Sequence, residues 1–218
     1  IVQVVHLNLH PDYFLGNQAF ADVPRRATAV TRAGMQREAS SYEANLYRLC
    51  GDWMKGTEAL LPDDTLVPGA LRLGTREIEL REYRGHTDSD LVLVDKSSGV
   101  VFAGGLVFVQ RIPTTPHAQV GAWLQSLRLL ANQPVKVLVP SHGQVRADNA
   151  GVAATQRYLH WLDQRFRDSA ELGLEMNEVL RTEVPAEFRG WAAFGTEYTR
   201  NVAHLYPRYE QAVFGARK

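Results

Sequence analysis

The chain has 218 residues, 45% hydrophobic and 22% charged, with Lys+Arg and Asp+Glu both at 24 and a formal net charge of zero. That is the make-up of an ordinary globular protein with room for a sizeable core. It excludes a nucleic-acid surface as the main task, because phosphate contact needs clustered Lys and Arg and no such run occurs.

The single cysteine, Cys50, excludes an intrachain disulfide framework and any multi-cysteine zinc site, and is expected to be a small core residue. No apolar run approaches membrane-spanning length and no export signal is visible. Ile1 already reads as part of a strand, as in a processed or partial chain.

Residues 1–7 read as a buried strand that breaks into the polar turn His10-Pro11-Asp12. Pro24 to Trp53 reads as helix, with Tyr42, Leu46, Leu49 and Trp53 on one face. Residues 57–70, with Pro62, Pro68 and Gly69, read as a connector. Ile78 and Leu80 alternate with Glu77, Glu79 and Arg81, which predicts a strand with one wet face. Leu91–Val94 is a buried type of strand, Lys96-Ser97-Ser98-Gly99 a turn, and Val100–Ala103 the returning strand.

From Pro116 a helix sets Val120, Trp123, Leu124, Leu127 and Leu130 on one face. Val135–Val139 is the next strand, closed by Pro140-Ser141-His142-Gly143. Thr155, Leu159, Leu162 and Phe166 keep helical register, and a last helix is expected from about Glu197 to Phe214. Strands with helices between them, without internal repeats or linkers, predict one α/β domain over 1–218.

Three of the seven histidines, His10, His86 and His142, fall just after strands in loops rich in Gly, Pro or Asp. Such loops are where rigid scaffolds present chemistry. His6, inside the first strand, reads as a satisfied core histidine.

The segments around these three resemble the motifs of the metallo-β-lactamase superfamily. Asn8-Leu9-His10-Pro11-Asp12-Tyr13 with Gly16-Asn17 resembles H-x-H-x-D-H followed by Gly-Asn. Gly85-His86-Thr87 through Leu91 resembles G-H-T-x-G-D-L, Phe102–Phe108 resembles F-x-G-D-L-V-F, and Pro140–Gly143 resembles P-G-H-G. Asn8 and Tyr13 stand where the family has histidines, and Gly105 where it has a metal-bridging aspartate. The later segments are most similar to the branch associated with sulfur oxidation and quinoprotein relay systems.

The resemblance implies an αββα sandwich whose N-terminal strands lie outside this sequence or come from another chain, through a homodimer or strand exchange. It implies zinc, at most one ion, on His10, Asp12, His86 and His142, with Asp12 and Tyr13 as catalytic candidates. It also implies hydrolysis of an ester, thioester or amide bond by an eroded site and a periplasmic setting. A non-catalytic binding or assembly role is the rival expectation. Neither nucleic acid nor membrane is an expected partner. Asp88 and Asp90 are expected to orient the His86 loop. Asn8→His, Tyr13→His and Gly105→Asp together are expected to rebuild a metal centre.

Overall fold

A computed structural model of the chain describes residues 1–216. Strands β1 (Val4–Val5), β2 (Arg25–Ala27) and β3 (Asp64–Thr65) form a short parallel sheet in that order. Between them lie helix α1 (Pro11–Phe14) and the 22-residue helix α2 (Ala29–Cys50). Strands β4 (Gly69–Leu73), β5 (Arg76–Tyr83), β6 (Asp90–Asp95), β7 (Val100–Phe102) and β8 (Val137–Val139) form a second sheet in sequential order. Its pairs are antiparallel except the last, β7 with β8, which are joined through α3 (Val120–Ala131). The tail adds α4 (Ala150–Glu171), α5 (Met176–Val179), α6 (Ala186–Arg189) and α7 (Phe194–Ala216).

Burial follows periodicity. In β5, Ile78 and Leu80 are buried while their neighbours face water. In α3, Val120, Trp123, Leu124, Leu127 and Leu130 all enter the main core, which α4 and α7 complete with Tyr158, Leu159, Leu162, Phe166, Val202 and Leu205. Trp123 and Trp191 are buried and Trp161 packs against this core. A smaller cluster of Leu9, Phe14, Leu15 and Met35 sits under α2.

The structure corrects several boundaries. Helix α2 begins at Ala29, not Pro24, because Thr28 caps it by accepting the Thr31 N–H at 3.1 Å and residues 25–27 join the ladder between β1 and β3. Tyr42 and Leu46 pack on the small cluster, but Leu49 and Trp53 are 80% and 92% exposed, since this end of the chain runs past the core that α2 covers. Cys50, in the last turn of α2, is exposed rather than a core residue for the same reason. The connector 57–70 contains β3 and the start of β4. Helix α3 starts at Val120, because residues 113–119 are committed to bonds with α7 and the β5–β6 loop.

Candidate active site in the cleft at the strand ends

The segment after β1 is fixed before it turns. Leu91 N–H donates to Leu7 O at 2.7 Å, tying it to β6, and His10 N–H donates to Asn8 Oδ1 at 2.9 Å. Pro11 then starts α1, as its fixed φ favours. The His86 loop rests on α3, and Gly85 allows this. Its φ is +126°, and a Cβ there would stand 2.1 Å from Trp123 N. Asp90 closes the loop by accepting from His86 N–H at 3.1 Å and Thr87 N–H at 2.9 Å, so its expected orienting role holds. Exposed Asp88 contributes only by accepting from Gln119 Nε2 at 2.9 Å. His142 follows β8, where its carbonyl accepts from Val109 N–H at 2.9 Å.

These loops bring His10, Asp12 and His142 to one cleft of about 300 Å³, lined also by Tyr42, Arg111 and Arg200, while His86 is buried outside its lining. His10 and His86 meet edge to face, ring centroids 4.4 Å apart. His142 lies against Phe108 at 5.3 Å, with its Nε2 3.6 Å from Asp12 Oδ2. Tyr13 turns away: its hydroxyl bonds Ser141 Oγ at 3.1 Å and it does not line the cleft. Burial pushes that phenol up to about 12, so it stays protonated. Arg111 and Arg200 share one carboxylate, Glu197, at 3.8 and 3.4 Å, and Asp12 on the same cleft balances the remaining positive charge.

A fourth histidine, which no strand-end motif marks in the sequence, joins them. His117 lies 5.6 Å from His10, centroid to centroid, and its Nε2 bonds the Tyr42 hydroxyl at 2.9 Å. The available signal was Pro113 and Pro116, which keep its segment out of the helix that follows. All four imidazoles are held below the ordinary histidine range, in each case first by burial. His86 falls to about 3, His10 well below normal, and His117 and His142 shift the same way. Near neutral pH they are uncharged, the form that can donate a lone pair to a metal.

The donor set does not fit two ions. Asn8 spends Oδ1 on the His10 backbone and presents a buried, unpartnered amide nitrogen, which is no ligand. Gly105 offers no donor, and the room its side chain would need is filled: a Cβ there would stand 2.0 Å from His86 Nδ1 and 2.8 Å from Asn8 Nδ2. The expected repair by Gly105→Asp therefore collides with His86.

As the side chains stand, no three His, Cys, Asp or Glu among the described residues form a metal-holding group, the expected set of His10, Asp12, His86 and His142 included. Asp12 and His142 face each other while His86 faces Asp90. What the cleft does show is that His10 Nε2 is buried without any partner, beside the rings of His86 and His117.

His6 is buried as expected and donates from Nε2 to Asn17 Oδ1 at 2.9 Å, but its Nδ1 has no partner.

Solved structures share the fold. A metallo-beta-lactamase from Pontibacter korlensis superposes with a TM-score of 0.55 at 23% identity, covering 73% of this chain and 69% of that one. A beta-lactamase domain protein from Burkholderia ambifaria superposes with a TM-score of 0.64 at 19% identity, covering 99% of this chain and 69% of that one. No curated protein sequence matches. The model of the metallo-beta-lactamase superfamily matches residues 8–142, which include the first motif, the His86 loop and His142. With more than half of its length matched, the chain belongs to the metallo-beta-lactamase superfamily.

Proposed function

We propose that the protein is a hydrolase of this fold that works with one zinc ion instead of two, on an ester, thioester or amide. The observation that carries this reading is the unpartnered, buried Nε2 of His10 beside His86 and His117. Burying a ring nitrogen with no hydrogen bond costs free energy, and a ligand-binding role accounts for it. A bound zinc ion would polarise the scissile carbonyl and lower the pKa of its water.

The chain's own residues supply the rest. Asp12, half exposed and facing His142, can take a proton from water in the cleft and pass it to that imidazole. Tyr13, held protonated, is no base, and its hydroxyl shares a hydrogen bond with Ser141 Oγ in which either can donate. Its part in this reading is to fix the loop after β8.

The sulfur-oxidation and quinoprotein-relay branch, a periplasmic setting and a paired or strand-exchanged assembly belong to the same proposal. Cell fractionation and sedimentation test the last two.

One observation favours a binding or assembly role instead, namely the His86 ring filling the room at Gly105. The two readings part on a single measurement. Protein stripped of metal and titrated with zinc is assayed by elemental analysis and against chromogenic esters, thioesters and amides. About one ion per chain with slow, zinc-dependent turnover is expected. A chain that holds no zinc after titration removes the hydrolase reading and leaves the binding one.

A further inference from the structure

We propose that helix α2 is the apolar wall of the cleft and sets its specificity, so that the ester, thioester or amide carries an aliphatic chain of several carbons laid against Leu46 and Leu49. This deepens the hydrolase reading and takes the reacting bond from it.

Placement is the first argument. Tyr42, Leu46 and Leu49 recur on one face of α2 at i, i+4 and i+7, and all three line the cleft. The stripe starts among the histidines, because the Tyr42 hydroxyl bonds His117 Nε2 at 2.9 Å. It runs outward for about 10 Å, at ~1.5 Å of helix rise per residue. Every charged or imidazole group in the lining comes from other elements, Asp12 and His142 among them. The cleft is therefore apolar along α2 and polar at the strand ends, which matches a molecule with a polar bond at one end of an alkyl chain.

Missing cover is the second. Tyr42 and Leu46 rest on the small cluster of Leu9, Phe14, Leu15 and Met35, whereas Leu49 has no such support and is 80% exposed. A single exposed leucine on a convex surface means nothing. Leu49 differs in lying in a concave wall, joined in the lining by Pro11, Phe108 and Pro116. Concave walls of this kind, with a few polar groups to fix orientation, are the make-up of small-molecule sites.

Size is the third, and it selects the occupant. Leu49 and Trp53 together expose side-chain surface on the order of 400 Å², about half of the ~800 Å² that each partner gives to a standard protein interface. Glu43, Asn45, Arg48 and Asp52 interrupt the apolar surface around them. A strip so narrow suits a single chain better than a second copy of the protein.

The experiment titrates the metal-free full chain with the N-methyl amides of straight-chain acids of four to eight carbons, followed by NMR shift changes. These probes are uncharged and differ only in apolar length. Affinity should rise by about two- to fourfold per methylene, so the eight-carbon amide should bind at least about tenfold more tightly than the four-carbon one. Leu49→Gln should remove most of that gain and leave the four-carbon affinity as it is, while Leu49→Phe should keep the gain. Leu172→Gln, 76% exposed and outside the cleft lining, should match the wild type.

An affinity independent of chain length, or no saturable binding by any of the series, overturns the inference. So does a full gain in Leu49→Gln, or a dimer that this variant takes apart, because a second copy then covers the face. Zinc-dependent turnover of chromogenic acetate and octanoate esters at equal kcat/KM also overturns it and leaves the hydrolase reading intact. Length-dependent binding without turnover sinks that reading and keeps α2 as the wall of a binding site.

Discussion

The His86 ring lies where a side chain at position 105 would be, since a Cβ on Gly105 would stand 2.0 Å from His86 Nδ1. The absence of a side chain at position 105 is thus coupled to the position of the histidine. Neither can be reversed alone. Gly105→Ala is expected to push the ring off Asp90 and destabilise the protein by about 1–3 kcal/mol, the usual cost of overpacking. The combination Asn8→His, Tyr13→His and Gly105→Asp should likewise lose stability before it gains a second ion. Urea midpoints and elemental analysis check both, and two zinc ions per chain in a fully stable triple variant would sink the argument.

The segment carrying His117 depends on one buried amide. Asn201 holds Pro113 O and Thr115, and its Nδ2 also donates to the Tyr158 hydroxyl at 2.8 Å. Asn201→Leu leaves these groups buried without partners and should cost about 1–3 kcal/mol. Calorimetric unfolding measures the effect, and an unchanged midpoint would show that the segment needs no such support.

Much of this cleft was legible because its residues sit at strand ends marked by local punctuation. Gly85, Pro11 and Gly143 flag the loops of His86, His10 and His142, and each loop forms where they imply. His117 was not legible, because its meaning lies in contacts across space. Tyr42 is 75 residues away in sequence and Asn201 closes the segment from the last helix. Two of the three strands of the first sheet escaped for a different reason. Strands of two or three residues carry no periodicity, so Arg25–Ala27 reads as the start of the helix that follows it. The apolar spacing of Leu49 and Trp53 was real but met no core, since periodicity tells which residues share a face and not how far the neighbouring layer extends.

That short sheet is held by charge as well as by its ladder. Arg25 is almost fully buried and pairs with Asp63, whose other oxygen accepts from Arg25 N–H at 3.1 Å. Its Nη1 donates to Phe20 O at 2.7 Å and Val23 O at 3.1 Å. Asp63→Asn removes the counter-charge from a buried guanidinium but keeps much of the shape. Because Asp63 is itself half exposed, water screens the pair, and a loss of about 1–3 kcal/mol is expected rather than the larger cost of a sealed one. Equilibrium denaturation at neutral pH checks it, and a change within experimental error would mean that solvent replaces the carboxylate.

Acid should destabilise the fold through His6, away from the cleft. Burial, aided by the charge of Arg25, lowers its pKa to about 4 from the ordinary 6.5. The unfolded chain therefore binds a proton between those values that the folded chain refuses. Stability from this group is fully present above pH 6.5 and is lost as pH falls towards about 4, at roughly 1 kcal/mol per pH unit. The Nε2–H donation to Asn17 also fixes the turn after α1, so a replacement must keep it. His6→Gln retains a donor but cannot titrate. Urea unfolding of both metal-free proteins from pH 7 to pH 4.5 should give a shallower pH slope for the variant by about one proton. Parallel slopes would mean that the buried ring is protonated in the native state, with water reaching its unpartnered Nδ1.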